Sequence, residues 1–376
     1  MLLLNDERWD RVNSMTGGEA SVCFQCGSCS AHCPINAISD SGLNMRKIVR
    51  SAQLGLDFNG ELWNCATCKL CETTCPREVG IVDVVLGLRS LAFEEKKAPE
   101  KIEKVVWDIY ENGNPWGGKK GERSLWADGL GIKDARAGVK VLFFVGCESA
   151  YSREAHESLR SITEIMSRLG VDFGILGNDE RCCGEPVLNA GELGYMEEIA
   201  SQNIAAFQKT GAEIVVTASP HCSNTFRNYY SKHGLKARVM HYSEFFYDLF
   251  RDGKLKLRSD SISETAYHDP CVLSRYDDFV SGPREMLSVV TRSPLIEMEH
   301  TGRESLCCGG GGNRMFLDFE GARLADRRMD ESAAAGAKNV VTACPYCVMN
   351  LRDSSDTRKM GIRVRDLAEV LRGALA

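Results

Sequence analysis

All seventeen cysteines of this 376-residue chain fall into groups, and none is left over. Residues 23–34 read CFQCGSCSAHCP and residues 65–76 read CATCKLCETTCP, two copies of C-x2-C-x2-C-x3-C-P. Three thiolates at that spacing can wrap three irons of one cubane. The fourth, set off by three residues and stopped by Pro34 or Pro76, is directed to the other cluster. The pattern predicts one [4Fe-4S] cubane on Cys23, Cys26, Cys29 and Cys75, and a second on Cys65, Cys68, Cys71 and Cys33. Zinc has no use for the regular triplets or the trailing Cys-Pro. A c-type haem is excluded because no C-x-x-C is followed by His.

The remaining nine cysteines form a repeat. Val215 to Cys222 (VVTASPHC) matches Val340 to Cys347 (VVTACPYC) at an offset of 125, which also carries Cys182-Cys183-Gly184 onto Cys307-Cys308-Gly309. An offset of 124 carries Cys147 onto Cys271. Two homologous modules follow. The second holds five thiols, Cys271, Cys307, Cys308, Cys344 and Cys347, one more than a cubane needs. The first holds four, Cys147, Cys182, Cys183 and Cys222, because Ser219 stands where the second has Cys344. Three outcomes are open for the first site: an ordinary cubane, a modified cluster, or loss of metal. Gly309 to Gly312 would let backbone approach a cluster, with Gly309 and Gly310 donating N–H groups to its sulfurs. His268 and Asp269 directly precede Cys271, and a histidine there could deliver a proton to a nascent thiolate. Arg275 and Arg314 could bind an acidic group of a substrate. His221 replaces nothing catalytic that can be identified.

The elements that position these groups follow from periodicity. Helical spacing over Gly42 to Leu56 and over Ile81 to Phe93 makes the N-terminal part all-α. FEEKKAPEKIEK is a solvated charge run, and the Gly-rich stretch from Asn112 to Gly138 reads as an irregular linker pinned by Trp116 and Trp126. Beyond it, strands VKVLFFVGC, IVVTA, ETAYHDPC and NVVTA alternate with helices, which implies parallel βαβ units with each cysteine at a strand-to-loop junction. The expected organisation is a helical di-cluster domain at 1–100, a linker at 101–138, and cysteine-rich modules at 139–255 and 256–376.

Composition narrows the function classes. A net charge of -6 with 43% apolar residues fits a globular protein and argues against a nucleic-acid binder. No apolar run approaches the length of a bilayer span. Met1 to Leu4 is followed at once by Asp6 and Glu7, so no secretory signal is expected and the expected location is the cytoplasm. No G-x-G-x-x-G follows a strand, and GGKKGER lacks the Ser or Thr of a phosphate loop, so nucleotide and flavin sites are not expected.

The pattern Cys271, Cys307-Cys308-Gly309, Cys344-x-x-Cys347 resembles the CCG domain of the heterodisulfide reductase family. From about Val22 onward the chain resembles that family's catalytic subunit of the membrane-linked type. It is also similar to iron–sulfur subunits of glycolate oxidase and anaerobic glycerol-3-phosphate dehydrogenase. The resemblance implies a noncubane [4Fe-4S] cluster on the five cysteines of the second module, with one iron open to a substrate sulfur. It implies disulfide/thiol chemistry there and partners such as a flavoprotein or a cytochrome b, through which the chain could associate with a membrane. The competing expectation is a relay subunit that only passes electrons between partners. A cavity with cationic walls beside the second site would favour catalysis, and a closed cluster would favour the relay.

Overall fold

The computed structural model describes residues 4–38, 43–57, 60–259, 262–319 and 321–376. Met1–Leu3 and Gly42, named in the sequence reading, lie outside the described residues. The N-terminal part is helical, as its periodicity predicts. Asn44 caps the helix Met45–Gln53 by accepting from the Lys47 N–H at 3.0 Å, and that helix buries Met45, Ile48, Val49 and Ala52. The helix Ile81–Glu94 is apolar on nearly every side and is correspondingly enclosed.

The stretch 101–138 is more than a linker. Glu100–Asn112 is a helix that buries Ile102, Val105 and Ile109, an apolar stripe at helical spacing. Further on, Lys133–Asp134 (β1) adds an edge strand to the following sheet. Trp126 is buried against Phe143, whereas Trp116 stays partly exposed on Phe316.

The first cysteine-rich module is a five-stranded parallel sheet in the order β1-β3-β2-β4-β5, with β2 Val141–Phe144, β3 Phe173–Ile175, β4 Ile214–Thr217 and β5 Arg238–His241. All of β2 is buried, as expected where helices cover both faces. The second module repeats the path with three parallel strands, β6 Thr265–Tyr267, β7 Asn339–Thr342 and β8 Arg363–Asp366, in the order β6-β7-β8. Where the first module has β3, the second has a single bridge, Ala266 to Ile296. Among the described residues no helix is long and apolar enough to cross a membrane.

Arg89 joins the three parts. Its fully buried guanidinium donates to the carbonyls of Leu62 and Cys65 in the helical part, Asn189 in the first module and Gly312 in the second. The Leu62 carbonyl also accepts from the Cys65 N–H, but a buried carbonyl left without any donor costs about 1–3 kcal/mol.

Candidate metal centres

The two N-terminal motifs exchange their last cysteines in space. Cys33 sits with Cys65, Cys68 and Cys71 around one small void, and Cys75 sits with Cys23, Cys26 and Cys29 around another. The first of these quartets is internal; burial pushes Cys33 up to about 12 and Cys71 well above the ordinary thiol range. The second lies near the surface, with Cys26 exposed. None of the 17 thiols forms a disulfide. Thiols gathered four at a time around a void, with other thiols as neighbours, are a soft donor set suited to iron–sulfur clusters.

In the second module the five expected cysteines converge from three places: Cys271 just after β6, Cys307 and Cys308 on a loop, and Cys344 and Cys347 at the start of the helix Pro345–Thr357. Cys307 contacts both Cys271 and Cys308, Cys347 contacts Cys344, and the Sγ atoms of Cys347 and Cys308 lie 3.3 Å apart. Gly309 adopts φ +92°, and its N–H turns back to donate to Cys307 Sγ at 3.3 Å. Gly184 makes the same turn onto Cys182 in the first module. The other glycines of this run permit close packing. Cβ atoms on Gly311 and Gly312 would collide with the backbone of Ala66 and Cys65, and one on Gly310 would crowd Asn350 and Tyr346. This close approach brings the Cys68 thiol onto Cys307, so the internal quartet and the second module touch sulfur to sulfur.

His268 lies at the second site, beside Cys308 and Cys347. Arg328 Nε donates to His268 Nδ1 at 3.1 Å. Because an arginine Nε always carries its hydrogen, Nδ1 must accept, and the imidazole proton sits on Nε2. Nε2 has no nitrogen or oxygen partner, and the ring faces Cys308 and Cys347, with all three candidate ligand atoms within 4.8 Å of one another. A second proton on Nδ1 would confront the guanidinium, and burial together with Arg328 pulls the imidazole down. The geometry thus aims the His268 Nε2–H toward the Cys308 and Cys347 thiols. Hydrogen bonds from Cys307, Cys347 and His268 hold Cys308 well below the thiol range despite burial. Burial pushes Cys344 up, but Cys347 and His221 bring it down to about 6. Asp269 turns away, held by Arg284 and the Gly302 N–H.

The four thiols of the first module also meet: Cys182 contacts Cys147 and Cys183, and Cys183 contacts Cys222. Ser219 Oγ is buried beside them in sequence and has no hydrogen-bond partner. Phe144 stands three residues before Cys147, where the second module has His268. Sequence reading missed the group that approaches this site instead. Arg123, in the Gly-rich stretch, is buried and reaches Cys147 Sγ with both terminal nitrogens, at 3.5 and 3.6 Å.

The two modules face each other through equivalent residues. His221 and Tyr346, related by the offset of 125, pack ring against ring at 4.8 Å. His221 belongs to the first module but hydrogen-bonds Cys344 of the second, and its Nδ1 lies 3.2 Å from Glu185. A cleft of about 640 Å³ opens here between all three parts and reaches Cys271, with Lys69, Lys232, Arg275 and His221 among its walls and Asp83 and Glu185 as its acidic members. Arg275 donates to the carbonyls of Cys68, Arg303 and Ser305, leaving one terminal nitrogen without a partner. Arg314 is committed to the Asn64 carbonyl and the Phe319 ring.

Comparison with known proteins agrees with this architecture. Residues 19–79 match the 4Fe-4S dicluster domain, and residues 141–227 and 265–352 each match the cysteine-rich domain called CCG. The chain is 31% identical to the probable iron-sulfur-binding oxidoreductase FadF of Bacillus subtilis, over 83% of this chain and 46% of that protein. It is 27% identical to EtfAB:quinone oxidoreductase of Syntrophomonas wolfei, over 82% of this chain and 46% of that protein. It thus spans about half the length of these relatives. One subunit of the dihydromethanophenazine:CoB–CoM heterodisulfide reductase of Methanosarcina barkeri matches along almost its whole length, 27% identical over 95% of this chain and 94% of that protein.

Proposed function

Because the chain belongs to the iron–sulfur proteins that join a 4Fe-4S dicluster domain to two CCG domains, and is similar throughout to that heterodisulfide reductase polypeptide, we propose that it reduces a small disulfide to two thiols, or runs the reverse, with electrons from a redox partner. Cys23, Cys26, Cys29 and Cys75 hold the outer cubane, and Cys33, Cys65, Cys68 and Cys71 the inner one. Cys271, Cys307, Cys308, Cys344 and Cys347 hold a noncubane cluster, and Cys147, Cys182, Cys183 and Cys222 a further [4Fe-4S] cluster. When bound, these groups supply one-electron relays and, at the second module, an iron that can take a substrate sulfur. The exposed Cys26 marks the side where a flavoprotein, cytochrome b or similar partner delivers electrons. Membrane association, if any, runs through that partner.

The observation that carries the catalytic reading over a pure relay is the cleft at Cys271. A relay needs no room beside its last sulfur, whereas a substrate does. Lys69 and Lys232 offer N–H donors to an anionic group lying against Cys271, and His221 stands on the same wall. His268 keeps its Nε2–H on the thiol side of the site, where it stabilises sulfur-borne negative charge.

Anaerobically purified native protein should be brown and carry about 16 irons, at four per cluster. Stoichiometric zinc would end this reading. Reduced protein mixed with small disulfides should release two thiols per disulfide. A native complex that passes electrons between its partners but cleaves no disulfide would leave the relay as the function.

A further inference from the structure

Arg123 approaches the first module from outside it. The segment Gly113–Trp126 folds over that site: the Gly113 carbonyl accepts from the Cys182 N–H at 2.8 Å, the Lys119 carbonyl accepts from Tyr151, and Ser124 is tied to Asn178. Under this cover Arg123 and Glu180 form an ion pair at 2.6 Å, their side chains 3% and 1% exposed. Glu180 also accepts from the N–H groups of Val145 and Gly146, at 2.8 and 2.9 Å, which fixes the turn that carries Cys147. The guanidinium is thus held from behind while its other face lies on Cys147 Sγ. Among the described residues nothing equivalent serves the second module. Ser305 stands where Glu180 stands, and Arg275, although close to Cys271 and Cys307, donates to backbone carbonyls.

We infer that Arg123, clamped by Glu180, sets the reduction potential of the cluster in the first module, raising it above what Cys147, Cys182, Cys183 and Cys222 alone would give. The inference rests on the reading that this module holds a cluster. Reduction adds an electron to a group already made negative by four thiolates, and donors on a ligand sulfur favour the more negative state. Water cannot screen the interaction at a site this enclosed. Arg123 is a positioning residue; it lies away from the cleft and touches no substrate.

Two substitutions give opposite signs, which a merely structural role would not. Glu180→Gln keeps one oxygen, for Arg123 and the Gly146 N–H, loses the oxygen that accepts from the Val145 N–H, and leaves the guanidinium uncompensated, so the first-module potential should rise. The double variant Arg123→Met, Glu180→Gln removes the donors without stranding a buried carboxylate, so that potential should fall. Both are read by redox titration of the holoprotein followed by electron paramagnetic resonance, with the first-module signal assigned by its loss in Cys222→Ser. The N-terminal cubanes should titrate as in the native protein, and the iron content should be unchanged. Absence of any Cys222-dependent signal in the native protein would refute the cluster at this site and the inference with it. A signal that is present but moves in neither variant, or moves the same way in both, overturns the inference alone. Loss of first-module iron from both variants would make the pair a structural clamp and overturn it too.

Discussion

The two CCG modules share a chain path and a cysteine framework, yet they treat their thiols differently. The first has four thiols, a cover made from residues 113–126, and a buried arginine on Cys147. The second has five, a neutral histidine beside Cys308 and Cys347, a neighbouring quartet in contact through Cys68, and a cleft that reaches Cys271. Duplication supplied two sites of one design. What separates them is what the surrounding segments contribute: charge and enclosure to one, access and a direct sulfur contact to the other.

The hardest test of that contrast is a matched pair of substitutions. Cys308→Ser should cost about a thousandfold in disulfide turnover, near 4 kcal/mol of barrier, while leaving the N-terminal cubanes reducible by dithionite. Cys183→Ser, at the equivalent position, should cost about tenfold or less by the same assay. Equal losses would erase the functional distinction between the modules. Next in size is the joint on which both modules depend. Arg89→Met removes donors to four buried carbonyls and should lower unfolding stability by about 3 kcal/mol or more. A loss below about 1 kcal/mol in chemical denaturation would show that the three parts are held together without Arg89. Smaller again is His268→Gln, which keeps an N–H donor but loses the ring. Turnover should fall by about tenfold, and the pH profile should keep its shape, because Arg328 already fixes the proton on Nε2. A profile that loses a limb would favour the proton-delivery role.

Much of this was legible in the cysteines. Their spacing gave both quartets, and the offset of 125 gave the duplicated modules, because a cluster cage demands thiolates at fixed intervals along a fixed chain path. The strands were legible too, since VLFF and VVT are buried on both faces and read as continuous apolar runs. The partners of those thiols were not. Arg123 sits in a stretch whose glycines read only as irregular chain, and its partner Glu180 comes 57 residues later. The tautomer of His268 depends on Arg328, 60 residues on, in the helix Leu324–Ala334. His221 looked idle because its contact lies in the opposite module, although the repeat itself places it level with Tyr346. Within residues 101–138 the spacing of Ile102, Val105 and Ile109 was the available sign of a helix.

The smallest expected effect on rate tests why the modules have different ligand counts. Ser219 and Cys344 occupy the same place, the residue before the proline that opens a helix, and both backbones are extended: φ -120° and ψ 132° at Ser219, φ -153° and ψ 127° at Cys344. Neither side chain caps its helix. A cysteine at 219 would therefore leave the backbone as it is and direct its sulfur as Cys344 does. The present hydroxyl is buried without a partner, a state that costs about 1–3 kcal/mol. Ser219→Cys should remove that penalty and raise the stability of the metal-free protein by about 1 kcal/mol. In the holoprotein it should bring the first-module cluster's Mössbauer spectrum toward that of the second, because five thiolates are then available at both sites. Disulfide turnover should stay within about twofold of native, since the cleft opens on Cys271 and not on the first module. An unchanged spectrum with full iron content would mean that enclosure by residues 113–126, rather than the missing thiolate, makes the first site different.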